Sequence, residues 1–414
     1  MIQSRKVKIH LNQSQKALVA KNFGAKRFIW NWGLEQLNNW WEENKVLDKA
    51  KRSKRPSVFD LNNKLNKLKN TDEFSWLKKC DSRVQLFALN SLNESFKRFW
   101  KRESKYPKFK SKKCSRQSYT SSSPSVPNLI DNNHLRLAKL GKVKFYNKGY
   151  IPNVKLKQAT ISYDGINYYC SVLIDESVVD WGKGEGEIGI DLGVKTSITC
   201  SNGQVYSWKT DKRLERRIKL SQRALSRTQK SSKRRIKSRL RLSRRYKRFT
   251  NQHKDFLHKT TSKLVRENQA IRMEDLNVKG MIRNHFLSKS IQSQSFAEIK
   301  RQLDYKCCWH EREFQLIDRF YPSSQLCSKC GAKNRGMKNL AKRIFICPVC
   351  GITLDRDMNA AINILNFPGG EFATTAGSAG SYARGDWKLF NPALQDRVAS
   401  RGSENCRKTL FYRG

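Results

Sequence analysis

The first hundred residues combine one short run typical of a strand with longer runs typical of helices. Apolar and polar positions alternate over residues 6–11, which predicts a strand. Ser14 can then cap a helix, and a second amphipathic stretch begins at Ser82, so we predict a mostly helical segment as far as about Trp100. Its apolar residues are predicted to form a core more readily than a base-stacking platform: Leu18, Phe23, Phe28, Trp30, Trp32, Leu89, Leu92, Phe96, Phe99 and Trp100.

The period of the apolar positions changes to two from Leu135 onward, after a polar and basic connector over residues 101–125. A period of two predicts strands. Residues 159–174 hold two β-rich runs on either side of Asp164 and Gly165, which predicts a hairpin with a type I′ turn. A helical block is therefore predicted within, or ahead of, a small β-barrel-like unit.

A glycine-rich joint at residues 182–186 separates this unit from a second predicted domain. Residues 188–193 (IGIDLG) predict a strand that ends in an acid and a turn. Roughly half of the positions in 212–248 are Lys or Arg, at a spacing that predicts a long helix or a helical pair. The tail after Asn366 is rich in Gly, Ser and Ala, which predicts little order.

The charge of the chain indicates a polyanionic partner. Lys and Arg total 84 against 35 acids among 414 residues, a net charge of +49. A basic membrane-surface protein and a ribosomal-type scaffold are the alternatives, but no apolar run reaches about 18 residues and no secretory signal is visible. Because the run at 212–248 is almost all of one sign, phosphate binding explains it better than a merely solvated helix. Nucleic acid is the leading predicted partner.

Four of the eleven cysteines form two C-x-x-C pairs, at 327–330 and 347–350. This duplication predicts a closed tetrahedral Zn²⁺ site, which stabilises a fold and leaves no position for substrate. Its ligands would be Cys327, Cys330, Cys347 and Cys350. The remaining cysteines are predicted to be buried thiols or neutral surface residues in a reducing compartment: Cys80, Cys114, Cys170, Cys200, Cys307, Cys308 and Cys406.

Three carboxylates beyond apolar runs form a second candidate metal site. Asp191 ends one strand-like run and Glu274 ends another, while Asp357 lies in the first turn of a predicted helix that Asp355 can cap. Any one of these acids alone would more often be neutralised by a basic neighbour. Together they suit hard cations such as Mg²⁺, and two such ions about 4 Å apart support phosphodiester hydrolysis. Residues 188–193 also resemble the first phosphate motif of actin-like ATPases, a family that does not explain the paired cysteines or the basic run.

The order of these motifs resembles the TnpB family, transposon-encoded RNA-guided DNA endonucleases related to type V CRISPR effectors. The matching segments are 189–193 (GIDLG), 255–259 (DFLHK), 273–281 (MEDLNVKGM), 321–327 (YPSSQLC) and 355–364 (DRDMNAAINI). Weaker matches at 106–110 (YPKFK) and 137–141 (LAKLG) extend the resemblance to the N-terminal half. Nearly the whole chain is covered, apart from the tail.

This resemblance implies an α+β multidomain fold. The implied parts are a wedge β-barrel at 1–15 and 115–182, a helical recognition insert at 16–114, a RuvC-like (RNase H-like α/β) nuclease domain at 183–325 and 352–368, a zinc ribbon at 326–351 and a flexible tail at 369–414. The zinc ribbon therefore interrupts the nuclease domain.

By the same resemblance, Asp191, Glu274 and Asp357 are the catalytic acids and the Mg²⁺ ligands, while Asp275 and Asp355 lie outside the triad. The implied partners are a guide RNA from the transposon end and target double-stranded DNA beside a short transposon-adjacent motif, with no membrane. Base pairing would select the target while the protein supplies charge and shape. We expect the protein in the cytoplasm of a prokaryotic cell, associated with the nucleoid. A nuclease-inactive RNA-guided DNA-binding regulator and a cut-and-paste transposase stay open as alternatives.

Overall fold

The computed structural model describes most of the chain, in stretches separated by short gaps. These stretches are 2–48, 51–112, 117–122, 127–146, 149–177, 181–182, 184–339 and 341–368, without the side chains of residues 279, 285, 287 and 289. The predicted tail at 369–414 lies outside the described residues. The chain divides into two units, Met1–Ser177 and Val178–Gly414. Across the described stretches, no helix combines the length and the apolar character needed to cross a membrane.

The first unit is built on an antiparallel sheet of seven strands within the described residues. They are β1 (Ile2–His10), β2 (Gln117–Ser121), β3 (Asn128–Asp131), β4 (His134–Leu137), β5 (Gly141–Phe145), β6 (Leu156–Tyr163) and β7 (Tyr168–Asp175). They pair in the order β2-β6-β7-β1-β5-β4-β3. β1 begins before the predicted residue 6, because its first residues already pair with β7. Val7 and Ile9 face the core while Lys8 between them is exposed, as the alternating pattern predicted.

The predicted helical block lies between β1 and β2. It consists of α1 (Gln13–Lys45), α2 (Val58–Leu68), a 3-10 helix (Ser75–Lys79) and α3 (Ser82–Trp100). Asn12, and not the predicted Ser14, caps α1: its side chain accepts from the Gln15 N–H at 2.8 Å, and the Gln15 side chain accepts from the Asn12 N–H at 3.1 Å. Ser14 instead lies in the first helical turn. The core prediction is confirmed for buried Phe23, Trp30, Leu89, Leu92 and Phe96, whereas Trp100 is exposed.

The predicted hairpin is formed by β6 and β7, which pair from Leu156 to Tyr163. Its turn is not type I′, which needs a positive φ at both central residues. Only Gly165, with φ +89°, has one; Ile166 does not. The Asp164 carboxylate accepts from the Ile166 N–H at 2.9 Å, and this bond holds the turn in its observed form.

The second unit is built on a mixed five-stranded sheet. Its strands are β8 (Glu187–Asp191), β9 (Ile198–Cys200), β10 (Val205–Tyr206), β11 (Ala270–Glu274) and β12 (Glu313–Ile317). They pair in the order β10-β9-β8-β11-β12. β8, β11 and β12 run parallel, while β9 is antiparallel to β8 and β10 is antiparallel to β9. The carboxyl ends of three neighbouring strands therefore share one edge of the sheet.

Helices and a small hairpin complete this unit. They are α4 (Lys212–Ser226), α5 (Lys233–Glu267), α6 (Val278–Ile282), α7 (His285–Gln294), α8 (Phe296–Trp309), α9 (Arg356–Leu365), and the paired strands β13 (Ile344–Ile346) and β14 (Thr353–Asp355). The basic run is thus a helical pair, α4 and α5. Arg235 joins the two helices, because its guanidinium donates to the carbonyls of Leu225 at 3.1 Å and Thr228 at 2.9 Å. These bonds cap the end of α4.

The scattered cysteines are mostly buried thiols, as predicted. This holds for Cys80, Cys170, Cys200 and Cys307. Cys308 differs from the prediction, because it is half-buried and disulfide-bonded. Cys114 and Cys406 lie outside the described residues.

Candidate active site

Two of the predicted acids end neighbouring parallel strands. The register pairs Ile190 of β8 with Met273 of β11, so the residues that follow, Asp191 and Glu274, lie side by side at the carboxyl edge of the sheet. Burial is the largest cause that raises the pKa of Asp191, and the charges of Glu274 and Asp357 raise it further, to about 8. The three acids therefore repel one another electrically when all are charged.

Asp357 reaches this edge from helix α9. Asp355 caps that helix, because its carboxylate accepts from the backbone N–H groups of Asp357 at 2.9 Å and Met358 at 3.2 Å. This confirms the prediction that Asp355 caps the helix; the side chain of Asp357 takes no part in the cap. Arg343 forms an ion pair with Asp357 at 3.6 Å. Among the described residues, Asp357 is thus the one member of the three with a basic partner.

A glycine allows α9 to lie directly on β8. A Cβ at Gly189 would come within 2.1 Å of the Ala361 carbonyl oxygen and 2.6 Å of the Leu365 nitrogen, closer than any side chain permits. Arg272 of β11 donates to the Leu365 carbonyl at the end of α9, and it pairs with Glu187 at 3.1 Å. Sheet and helix therefore fix the position from which Asp357 extends.

The acid beside Glu274 has a different environment. Asp275 pairs with Lys300 at 2.6 Å and with Arg319. Although burial opposes them, these two partners hold the pKa of Asp275 below its ordinary value. Among the described residues, no basic group lies within 4.0 Å of the carboxylate oxygens of Asp191 or Glu274. Asp275 is therefore neutralised by its ion pairs, whereas Asp191 and Glu274 have no ion pair among the described residues.

Glu274 has a hydroxyl partner in place of a cation. The Ser323 hydroxyl donates to its carboxylate, and Ser323 is itself buried. Burial raises the pKa of Glu274, and this hydrogen bond opposes the rise. The oxygens of the three acids do not all lie within 4.8 Å of one another. Within the described stretches, the only group of three or more His, Cys, Asp or Glu residues whose ligand atoms do so is formed by the four cysteines Cys327, Cys330, Cys347 and Cys350.

The four predicted zinc ligands come together in one cluster. Their Sγ atoms lie 3.6 Å apart for Cys327 and Cys350, and 3.5 Å apart for Cys330 and Cys347. A tetrahedral site with Zn–S bonds of about 2.3 Å requires sulfur separations of about 3.8 Å, so the donor set fits. The N–H groups of Cys350 and Val349 lower the pKa of the Cys347 thiol, which favours the thiolate that a metal needs, whereas at Cys330 the Ala332 N–H is outweighed by burial and by the other three sulfurs, which raise the pKa. The cluster can bind zinc.

The two candidate metal sites are joined through the chain. The cysteine unit contains the β13–β14 hairpin, over a small core of Met337 and fully buried Phe345. β14 ends at Asp355, and α9 begins at the next residue. The cysteine unit therefore leads directly into the helix that carries Asp357.

Two asparagines of α9 that the sequence patterns did not single out bind the 323–328 segment. Asn359 is fully buried; its amide donates to the Leu326 carbonyl at 2.7 Å and accepts from the Ser328 N–H at 3.0 Å. Asn363, one turn later, donates to the carbonyls of Ser323 and Leu326, both at 2.7 Å. The i, i+4 spacing of two asparagines on an otherwise apolar helix face was the available signal.

Helix α5 presents a strongly basic surface. Over residues 233–248, its exposed Lys and Arg side chains are Lys233, Arg234, Lys237, Arg239, Arg241, Arg244 and Arg248. None of these seven forms an ion pair with an acid of the described residues. Cations without an acidic partner along one helix suit a phosphate backbone, and phosphate binding by this helix stays a prediction.

Three family models match the chain. One described as "Probable transposase" matches residues 171–285, one described as "Helix-turn-helix domain" matches 1–46, and one described as "Cas12f1-like, TNB domain" matches 296–364. The described residues within 1–46 form β1 followed by one long helix, α1.

Several named proteins are similar over most of the chain. A Streptomyces pristinaespiralis protein named "Putative RNA-guided DNA endonuclease" is 33% identical over 87% of this chain and 88% of its own length. The Escherichia coli K12 protein "Putative RNA-guided DNA endonuclease InsQ" is 27% identical over 88% of this chain and 92% of its own. A TnpB-like protein of Acanthamoeba polyphaga mimivirus is 31% identical over 29% of this chain and 24% of its own.

A solved structure shares the fold. The protein in a cryo-electron microscopy structure of a Cas12f1–sgRNA–target DNA complex aligns with a TM-score of 0.53, at 13% identity, over 88% of this chain and 99% of that one. This likeness shows an α+β fold resembling Cas12f1.

Proposed function

Since the chain belongs to the TnpB family, we propose that it is an RNA-guided DNA endonuclease that hydrolyses phosphodiester bonds at Asp191, Glu274 and Asp357. One observation carries the assignment of the site. Two acids end neighbouring parallel strands and have no basic partner among the described residues, and the charge of a third acid, on α9, raises the pKa of Asp191. Nuclease-type metal sites use carboxylates at such positions.

We infer that Asp191, Glu274 and Asp357 hold Mg²⁺. Their donor set fits, because Mg²⁺ takes carboxylate oxygens and keeps part of its water shell, so it does not need all ligand atoms in close contact. Bound Mg²⁺ would polarise the phosphate and stabilise the attacking and leaving oxygens. The chain itself supplies the position of the acids: β8 and β11 fix two of them, and α9, seated on Gly189, fixes the third.

The division of the fold follows from the same family. We propose that the seven-stranded sheet is the wedge β-barrel and that α1 to α3 form the helical recognition insert. The mixed sheet, with three parallel strands and an antiparallel arm, suits a RuvC-like domain of RNase H-like fold. The cysteine unit would be its zinc ribbon, with the boundaries that the sequence predicts.

The partners proposed are a guide RNA from the transposon end and target double-stranded DNA beside a transposon-adjacent motif. The names of the relatives support an RNA guide and a DNA target. The net charge of +49 and the unpaired cations of α5 supply the attraction for two polyanions. Because base pairing can select the sequence, the protein needs mainly charge and shape.

Cleavage by a defined complex tests this function. The chain is purified, its copurifying RNA is sequenced, and the complex is incubated with matching target DNA with and without Mg²⁺. We expect Mg²⁺-dependent cutting that Asp191→Ala abolishes while target binding persists. Asp72→Ala, which removes an exposed acid in the first unit, is the control and should cut normally.

Other outcomes identify the alternatives. Target binding by the native complex without any cutting would assign the chain to the nuclease-inactive regulators. Joining of paired transposon ends would assign it to the cut-and-paste transposases. Unimpaired cutting by Asp191→Ala would remove Asp191 from the site.

A further inference from the structure

The segment that follows β12 passes both acids at the end of β11. Just beyond the strand, Arg319 donates to the Asp275 carbonyl at 2.9 Å. Four residues later, the Ser323 hydroxyl donates to the Glu274 carboxylate. Ser323 is only 5% exposed, so water competes little for this hydrogen bond. A buried donor thus faces one candidate metal ligand.

The backbone at Ser323 is held from two directions. Its N–H donates to the Tyr321 carbonyl at 2.9 Å. Its carbonyl accepts from the Asn363 amide at 2.7 Å, and the same amide group binds the Leu326 carbonyl at 2.7 Å. Because Asn363 lies on α9, the helix that carries Asp357 also fixes the place from which Ser323 reaches Glu274.

The cysteine cluster begins directly after this clamp. Cys327 follows Leu326, whose carbonyl also accepts from Asn359 at 2.7 Å. The Ser328 N–H, inside the first cysteine pair, donates back to Asn359 at 3.0 Å. Hydrogen bonds and short chain links therefore connect the cluster, helix α9 and the Glu274 carboxylate.

We propose that Ser323 is a positioning residue whose hydroxyl fixes the orientation of the Glu274 carboxylate, and that the cysteine unit and α9 hold Ser323 in place for this role. As far as it concerns cleavage, this inference rests on the proposed function. Hydrogen bonds to a metal ligand restrict its orientation, and their loss typically reduces activity about 10- to 100-fold. The cysteine cluster would then support the chemistry at a site it does not contact.

Cleavage by a set of serine variants tests the role. We expect Ser323→Ala to slow single-turnover cleavage about 10- to 100-fold at saturating Mg²⁺, with unchanged target affinity and zinc content. Ser323→Thr keeps a hydroxyl and should restore most of the rate. Ser324→Ala is the matched control, because among the described residues that hydroxyl contacts the Arg356 guanidinium, at 3.4 Å, and not an acid. Cleavage by Ser323→Ala at the native rate would overturn the proposal.

A thermal-unfolding cycle tests the contact without any cleavage. Melting temperatures are measured in magnesium-free buffer for the native chain, Ser323→Ala, Glu274→Ala and the double variant. A coupled pair predicts a drop of about 2–4 °C from Ser323→Ala in the native background, and no drop in the Glu274→Ala background. An equal drop in both backgrounds would overturn the proposal, whatever the cleavage result.

The two experiments separate two kinds of failure. If the native complex does not cut DNA, the proposed function fails and the unfolding cycle alone decides whether Ser323 positions Glu274. If the native complex cuts, the inference requires both the loss of rate and the coupling.

Discussion

Replacing Asp191 by Asn should stabilise the magnesium-free protein at neutral pH. In the folded chain the pKa of Asp191 is raised from 3.8 to about 8, so between these pH values the folded state holds a proton that the unfolded state has released. Stability from this group is therefore lost as pH rises through that window. Asn cannot ionise, and its carbonyl can still accept a backbone N–H, so the variant escapes the loss.

The size of the effect follows from the pKa values. One pKa unit corresponds to about 1.4 kcal/mol, so the penalty at pH 7 is at most about 4 kcal/mol, and at pH 5 less than about 2 kcal/mol. Because Asp191 is only half-buried, screening by water reduces the penalty at both pH values. We expect Asp191→Asn to raise the melting temperature by several degrees at pH 7 and by less at pH 5.

Unfolding by heat or denaturant, in magnesium-free buffer from pH 5 to pH 8, measures this difference. Asp275→Asn is the matched control, because Asp275 is the neighbouring acid that pairs with Lys300 and Arg319. Its neutralisation leaves two cations unpaired and should lower stability by about 1–3 kcal/mol. Added Mg²⁺ should stabilise the native chain more than Asp191→Asn.

A loss of stability in Asp191→Asn, or an advantage that does not grow with pH, would refute this reasoning. Either result would mean that Asp191 is charged and well compensated in the folded protein. The site would then have the electrostatics of an ordinary structural acid, and the assignment of metal ligands would lose its main support.

Three further predictions address the helix seat, the cysteine unit and the basic surface. Gly189→Ala should lower the free energy of unfolding by about 3 kcal/mol and abolish cleavage, because the added Cβ meets the α9 backbone. Denaturant unfolding measures this change. The control is Gly24→Ala, which has open space around it and should instead stabilise the protein by about 0.5–1 kcal/mol. Cys327→Ser should lose bound zinc, measured by metal analysis, and lower the melting temperature. Arg241→Ala with Arg244→Ala should weaken nucleic-acid binding and reduce the slope of log affinity against log salt by about 1.5–2; an unchanged slope would place the phosphates elsewhere.

The sequence was informative where a residue type repeats at a fixed spacing or ends an apolar run. The positions of Asp191 and Glu274 at one edge of a sheet were predictable, because each acid ends a short apolar strand and parallel strands bring their carboxyl ends together. The cap at Asp355 followed from local spacing alone. The cysteine pairs were identifiable for the same reason, because their spacing is set by the geometry of a tetrahedral metal.

The predictions failed where two equivalent local solutions compete. Asn12 and Ser14 can both cap a helix, and the choice depends on Gln15, which reaches back to Asn12 and also donates to the Leu140 carbonyl at 3.0 Å. That carbonyl is remote in sequence, so no local pattern contains it. Ser323 could not be predicted for the same reason, because its hydroxyl meets the Glu274 carboxylate only in the folded chain.

Apart from Arg343, which pairs with Asp357, two basic residues near the site donate to backbone carbonyls. The charge of Arg356 acts on Asp191, but its guanidinium donates to the Asn339 carbonyl at 2.9 Å. Arg272 lies on the strand that carries Glu274, and it donates to the Leu365 carbonyl at the far end of α9. Both guanidinium groups therefore donate to the backbone that frames the site, and the charge of Arg356 also offsets part of the rise in the pKa of Asp191.

The same holds beside Glu274, where Lys300 and Arg319 are both bound by Asp275. In a chain with 84 basic residues, two half-buried acids that have no ion pair among the described residues depend on such arrangements, because a free Lys or Arg nearby would otherwise pair with them. Keeping the local cations on other acceptors leaves Asp191 and Glu274 without an ion pair among the described residues, so their charges are only partly compensated. The compensation must then come from protons or from cations in solution, which is the condition that a carboxylate metal site needs before it binds its ion.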